Sequence, residues 1–191
     1  MEANASDALS RAYLADTLRS FRMYKKLGDA AMAQVVADAD LVRQIDPGSN
    51  SLATILKHIG GNLRSRFTDF LTTDGEKPDR DRDAEFEIAS PPSREEILSW
   101  WESGFSAALG AIEALQPADL TRTVHIRHEP FLVVEALNRL VTHLAYHVGQ
   151  MVYVARHLAG DQWTTLSIPK GQSKQYGVGS FKDGVVPRRM A

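Results

Sequence analysis

Residues 130–158, PFLVVEALNRLVTHLAYHVGQMVYVARHL, decide how the rest of the chain is read. The stretch has no interior proline and a single interior glycine, Gly149. Leu137, Leu140, Val141, Leu144, Val148, Met151 and Ala155 fall on one stripe at about 100° per residue, so the spacing predicts one long amphipathic helix. Such a helix reaches about 40 Å, the full height of a small domain. His143 and His147 lie inside it, one helical turn apart and about 40° apart around the axis. They sit at the edge of the apolar stripe, where a buried face meets a cleft. Two imidazoles at that spacing are close enough to bite a single cation. The pair alone is equally compatible with half-exposed histidines hydrogen-bonded elsewhere, and it lacks the glutamate of the zincin motif H-E-x-x-H.

A third ligand comes from upstream. Ser49, Asn50 and Ser51 are each competent N-caps for a second helix running SLATILKHIGGNLRSRFTDFL, residues 51–71. Leu52, Ile55, Leu56, Ile59, Leu63, Phe67 and Phe70 give it one buried face. His58 lies on the same side of that stripe as His143 does of its own, so packing the two helices together lets three imidazoles converge. Asn62 and Arg66 interrupt the same face, and a guanidinium there must snorkel or find an oxygen partner. The pair Gly60 and Gly61 weakens the helix by about 1 kcal/mol each relative to alanine, which close backbone packing or room for a ligand would explain. His157 lies about 15 Å further along its helix than His147 and cannot join the cluster. His125 and His128 read as surface groups, with His128 in reserve as a ligand.

Composition narrows the function classes. The chain has 191 residues with 43% hydrophobic content, enough for one domain with a real core. A net charge of −2 from 22 basic and 24 acidic residues gives no basic excess for nucleic acid. No apolar run approaches the roughly 18 residues of a membrane span, and MEANASDAL does not read as a signal peptide. A soluble cytoplasmic protein is the expectation. Cysteine is absent, which removes disulfides, thiolate zinc sites and a cysteine nucleophile. A metal site must then be built from histidine nitrogens and carboxylate oxygens.

The remaining segments frame the fold. A first helix is expected over 7 to 27 with Leu14, Leu18 and Phe21 inward, a possible break at Gly28, and a shorter helix over 29–39 before the turn at Asp46, Pro47 and Gly48. Residues 72–92 form a long non-helical connection. Its DRDRD run reads first as a solvated charge ladder, with a pocket rim or subunit contact as the alternative. Ser93 and Glu96 open a third helix with Ile97, one of Trp100 and Trp101, Phe105, Ala108, Ile112 and Leu115 inward. Residues 121–128 alternate and predict a short extended segment, followed by the long fourth helix from Pro130. The expectation is an all-α four-helix bundle with a long crossover between helices 2 and 3. It occupies residues 1–160, and an irregular tail over 161–191 packs on the same domain or a neighbouring subunit.

Two strings carry a family likeness: NSLATILKHIGGNLRSRFTDFLTTDGEKPDRDRDAEFE from Asn50, and RLVTHLAYHVGQMVYVARHL from Arg139, followed by WTTLSIPKGQS from Trp163. They resemble an uncharacterised bacterial branch of the DinB/YfiT-like superfamily of metal-binding four-helix bundles. The resemblance implies that His58, His143 and His147 hold one divalent metal (zinc, nickel or iron) and that the protein is a homodimer. Members of that superfamily include thiol-dependent S-transferases, isomerases and metal-dependent hydrolases, so the expected activity is activation of water or a small thiol against an electrophile. The alternative is a non-enzymatic, stress-related bundle with a structural or sensory metal. A metal-free polar patch of neutral histidines is a third reading. Asn62, Arg66, Arg139, Tyr146 and Gln150 are the residues expected to orient the imidazoles or bind an anionic substrate.

Overall fold

The computed structural model describes residues 2–176 and is mostly helical. The helices are α1 (Glu2–Met32), α2 (Asp38–Leu41), α3 (Leu52–Phe67), α4 (Arg94–Ala114) and α5 (Val133–Ala159). One antiparallel hairpin, β1 (Thr123–Ile126) and β2 (Glu129–Leu132), completes the regular structure together with four short 3₁₀ turns. Helix α3 packs on α4 and α5, and α1 packs on the same two helices. No described helix is long and apolar enough to cross a membrane.

Helix α3 is the most enclosed element: thirteen of its sixteen residues are buried, against one buried stripe on α5. The Ser51 hydroxyl caps it by accepting the Thr54 N–H at 3.2 Å. Leu52, Leu56, Ile59 and Leu63 meet Ile97, Trp101 and Phe105 from α4 and Leu137, Leu144 and Met151 from α5 in one core. Each such side chain contributes about 1.5–3 kcal/mol by leaving water. The two glycines of α3 serve different neighbours. A methyl group on Gly60 would strike the Trp100 backbone of α4, whose own Gly104 comes up against Gly60. A methyl on Gly61 would run into the Glu85 carboxylate. Both readings of the glycine pair therefore apply, one to each residue.

Several boundaries differ from expectation. Helix α1 continues through Gly28 to Met32, because a side chain at 28 would collide with the Trp101 indole. Trp101 Nε1 donates to Asp29 Oδ1 at 2.8 Å, so the glycine makes room for an interhelical anchor and does not end the helix. The helix expected over 29–39 is replaced by the end of α1 and the single turn α2. Trp101 is the core tryptophan, 1% exposed, while Trp100 lies under the Lys57 ammonium at 5.7 Å. The last helix starts at Val133, not Pro130, because residues 129–132 pair with β1 as a strand. Arg127 and His128 form the two-residue turn with φ of 55° and 67°, and the Asp74 carboxylate accepts both of their N–H groups at 2.9 and 2.7 Å.

The segment after α5 is tied to the turn that follows α1 by paired hydrogen bonds between the Gln34 amide and the Thr164 backbone, at 3.0 and 2.6 Å. Trp163 and Leu166 pack against the core of the same chain, and Ile168 is half-buried. Residues 177–191 of the expected tail lie outside the described residues.

Candidate metal centre

Helices α3 and α5 bring His58, His143 and His147 together, with one candidate ligand nitrogen from each lying within 4.8 Å of the others. His58 and His147 are buried and His143 is half-buried. The ring centroids are 4.6 to 5.2 Å apart. Two of the three rings are oriented from behind. His58 Nδ1 lies 2.8 Å from Glu85 Oε2. An ionised carboxylate only accepts, so Nδ1 carries the proton and Nε2 keeps its lone pair. His147 Nδ1 lies 2.8 Å from Gln150 Oε1, and the same logic leaves its Nε2 bare. His58 Nε2 and His143 Nε2 stand 3.2 Å apart. Two nitrogens bound at about 2.1 Å to one tetrahedral ion stand about 3.4 Å apart, so this pair is at ligand spacing, and all three lie close enough to hold a cation.

Electrostatics favour the neutral form of His143 and His147, the form in which an imidazole ligates. Burial pushes His143 down to about 3, helped by His147, His58, Arg80 and Arg139. Burial and the nearby His58 also lower His147, opposed by the hydrogen bond it donates to Gln150. Burial alone would raise the Glu85 carboxyl, but hydrogen bonds from Arg80 and His58 outweigh it and hold the group below its usual value.

The support behind His58 comes from the crossover segment. Arg80, its side chain 2% exposed, donates Nε and Nη2 to the two oxygens of Glu85 at 2.8 and 2.9 Å. Arg80 also reaches Glu76 at 3.4 Å, and Glu76 in turn pairs with Arg66 at 3.0 Å and Arg127 at 2.9 Å. Arg66 donates as well to the Gly75 carbonyl. The Phe86 ring lies over His58 with centroids 4.7 Å apart. The DRDRD run is thus not a uniform solvated ladder. Asp79 and Asp83 face water, but Arg80 is buried under the site and Arg82 lines the cleft.

That cleft has a volume of about 580 Å³ and is lined on one side by His58, Asn62 and His143. All five residues expected around the histidines are found there or touch them. Asn62, Arg66, Arg139 and Tyr146 line the cleft, and Gln150 holds His147. Arg66 is buried and engaged by Glu76, while Tyr146 is 63% exposed with its ring 5.0 Å from that of His147. His128 is 97% exposed on the hairpin turn, and His125 and His157 are exposed too, so none belongs to the cluster. Sequence reasoning missed Glu85, Phe86 and Arg127, and it covered Arg80 and Arg82 only through the pocket-rim alternative for the DRDRD run. The only available signal was general: a metal-binding imidazole needs an acceptor on its second nitrogen, and the crossover holds many carboxylates.

These features define a mostly helical protein with three clustered histidines beside an open, arginine-lined cleft. The family model described as "Protein of unknown function (DUF1572)" matches residues 8–172, and the chain belongs to that family. No curated protein matches the chain.

Proposed function

We propose that the chain is a DinB/YfiT-like four-helix-bundle enzyme that holds one divalent cation on His58, His143 and His147. Its reaction would be hydrolytic or thiol-transferring attack on an electrophilic small molecule. The observation that carries this reading is the meeting of three histidines, of which His58 and His143 line an open cleft and His58 and His147 are tied back through Nδ1. When bound, a zinc-, nickel- or iron-type cation supplies Lewis-acid activation of a water or small thiol. The chain's residues supply the rest. Glu85 and Gln150 hold the His58 and His147 rings in the tautomer that points Nε2 inward. Phe86 covers the His58 face and keeps water from it. Tyr146 and Arg139 stand on the α5 side of the cleft, where a substrate would lie.

Metal analysis of natively purified protein is the first test, with one equivalent of divalent metal expected and a lower melting temperature after chelation. No stoichiometric metal, with melting unchanged by chelation, would sink the metal reading altogether. Turnover of small thiols with an electrophilic dye, and of ester and amide probes, is then compared between wild type and His147→Ala. Faster wild-type turnover supports the enzyme. Equal rates on a metal-bearing protein would favour a structural or sensory metal in a non-enzymatic, stress-related bundle. Sedimentation measures the homodimer that the DinB-like likeness implies.

A further inference from the structure

Five arginines line the cleft (Arg66, Arg80, Arg82, Arg127 and Arg139) and only one carboxylate, Glu129, does so. Their charges are not equally available. Arg66, Arg80 and Arg127 are bound to Glu76 or Glu85. Arg139 has no carboxylate partner among the described residues, and its guanidinium lies 6.0 Å over the Phe131 ring. The guanidinium of Arg82 lies 5.4 Å over Phe86, the ring that also covers His58. Its nearest carboxylate is its own neighbour Asp83, 3.7 Å away and 97% exposed. Two arginines, one from the crossover and one from α5, are therefore seated on aromatic rings at the cleft with most of their donors uncommitted.

A separate observation lies between helix and cleft. Asn62 is 7% exposed, lines the cleft, and its Oδ1 is buried without a hydrogen-bond partner. A buried acceptor left unbonded by its own fold is rare, and the residue that carries it lines the cleft. Its amide oxygen only accepts, so it suits a hydroxyl or protonated oxygen of the bound molecule, and the anionic oxygens fall to the arginines.

We infer that the molecule taken up by this cleft carries a carboxylate or phosphate, held by Arg139 and Arg82 with Asn62 beside the histidines. This rests on the proposed metal site only for where the reacting atom would sit. A cleft of about 580 Å³ suits a small molecule and not a macromolecular chain. Planar guanidiniums match the paired oxygens of either anion, and weak hydration lets arginine do this beside buried rings.

The test is calorimetric titration of the full chain, metal-stripped and zinc-loaded, with inorganic phosphate, succinate and the neutral ester dimethyl succinate. At least one oxyanion binds and the ester does not. Arg139→Gln weakens that binding by about tenfold and the Arg82→Gln/Arg139→Gln double variant by more, with metal content unchanged. Both side chains are cleft-facing and solvent-accessible, so folding is checked simply by an unchanged melting temperature. Phosphate alone or succinate alone decides between the two anions. Binding equal in wild type and double variant, ester binding as tight as succinate, or no oxyanion binding in either form would overturn the inference. Arginine-dependent binding by a chain that takes up no metal would overturn the metal reading and leave this one standing.

Discussion

His58 and His147 stand with ring centroids 4.8 Å apart, yet the chain secures them by different means. His147 is held locally: Gln150, three residues on, meets it on the same helix, and His143 is one turn back. His58 is held from 27 residues away by Glu85, which Arg80 grips with two donors, and Glu76 links that pair to Arg66 and Arg127. The α5 wall is a consequence of helical spacing. The α3 wall is a buried ion network built by an irregular segment. Removing a part should therefore affect stability on one side and chiefly metal affinity on the other.

The largest expected effect is at Glu85. Glu85→Ala leaves the Arg80 guanidinium without its bidentate partner and His58 without an acceptor. It is expected to lower folding stability by about 3 kcal/mol in chemical denaturation, because a buried charge losing its partner stays uncompensated. A loss below about 1 kcal/mol would mean that water reaches Arg80 and that the two walls are not so different.

Gln150→Ala sharpens the comparison from the other side. It removes a half-buried side chain that accepts from the buried His147 Nδ1, so metal affinity falls by about tenfold while stability falls by only about 1 kcal/mol. A competition titration against a metal-binding dye reads the first quantity and denaturation the second. Stability loss as large as that of Glu85→Ala would erase the distinction.

The smallest effect is a pH dependence confined to the network. Burial raises the Glu76 carboxyl, but hydrogen bonds from Arg127 and Arg66 and the charge of Arg80 outweigh it and hold it below its ordinary 4.5. A carboxyl depressed in the folded state contributes stability that is fully present above its unfolded value. That contribution is lost as pH falls through the lower, folded value. The stability gap between wild type and Glu76→Gln should thus be constant above about pH 5 and close progressively below about 4.5. Because Glu76 is partly solvated, the gap is modest, and its failure to close in acid would show that the contact is not ionic.

How much was legible follows the same division. The stripe on α5 (Leu137, Leu140, Leu144, Val148, Met151, Ala155) is buried as its period requires, with Val141 half-buried at the margin. Ser51 and Ser93 cap α3 and α4 at the positions their chemistry suggested. The histidine cluster was legible because two of its members share one helical turn and the third flanks the neighbouring stripe. The start of α5 was not, because Pro130, Phe131 and Leu132 are apolar enough to extend the helical pattern, and only pairing with β1 makes them a strand. Gly28 misled for a related reason. Its helix-breaking tendency is weak, about 1 kcal/mol, and packing of Trp101 into the space above it overrides that.

Periodicity and caps determined from sequence alone that the chain is mostly helical, and helical spacing together with the family likeness singled out His58, His143 and His147 as its candidate ligands. These are local properties, set by residues a few positions apart. Tertiary structure alone decided which of the charges in the crossover are buried: Arg80 and Glu85 beneath the histidines, Asp79 and Asp83 in water. Those residues sit in a charged, irregular stretch that carries no apolar stripe to show which of them turn inward. Their fates depend on which side of an irregular loop meets α3, and that is settled by the space Gly61 leaves open and the acceptor His58 requires.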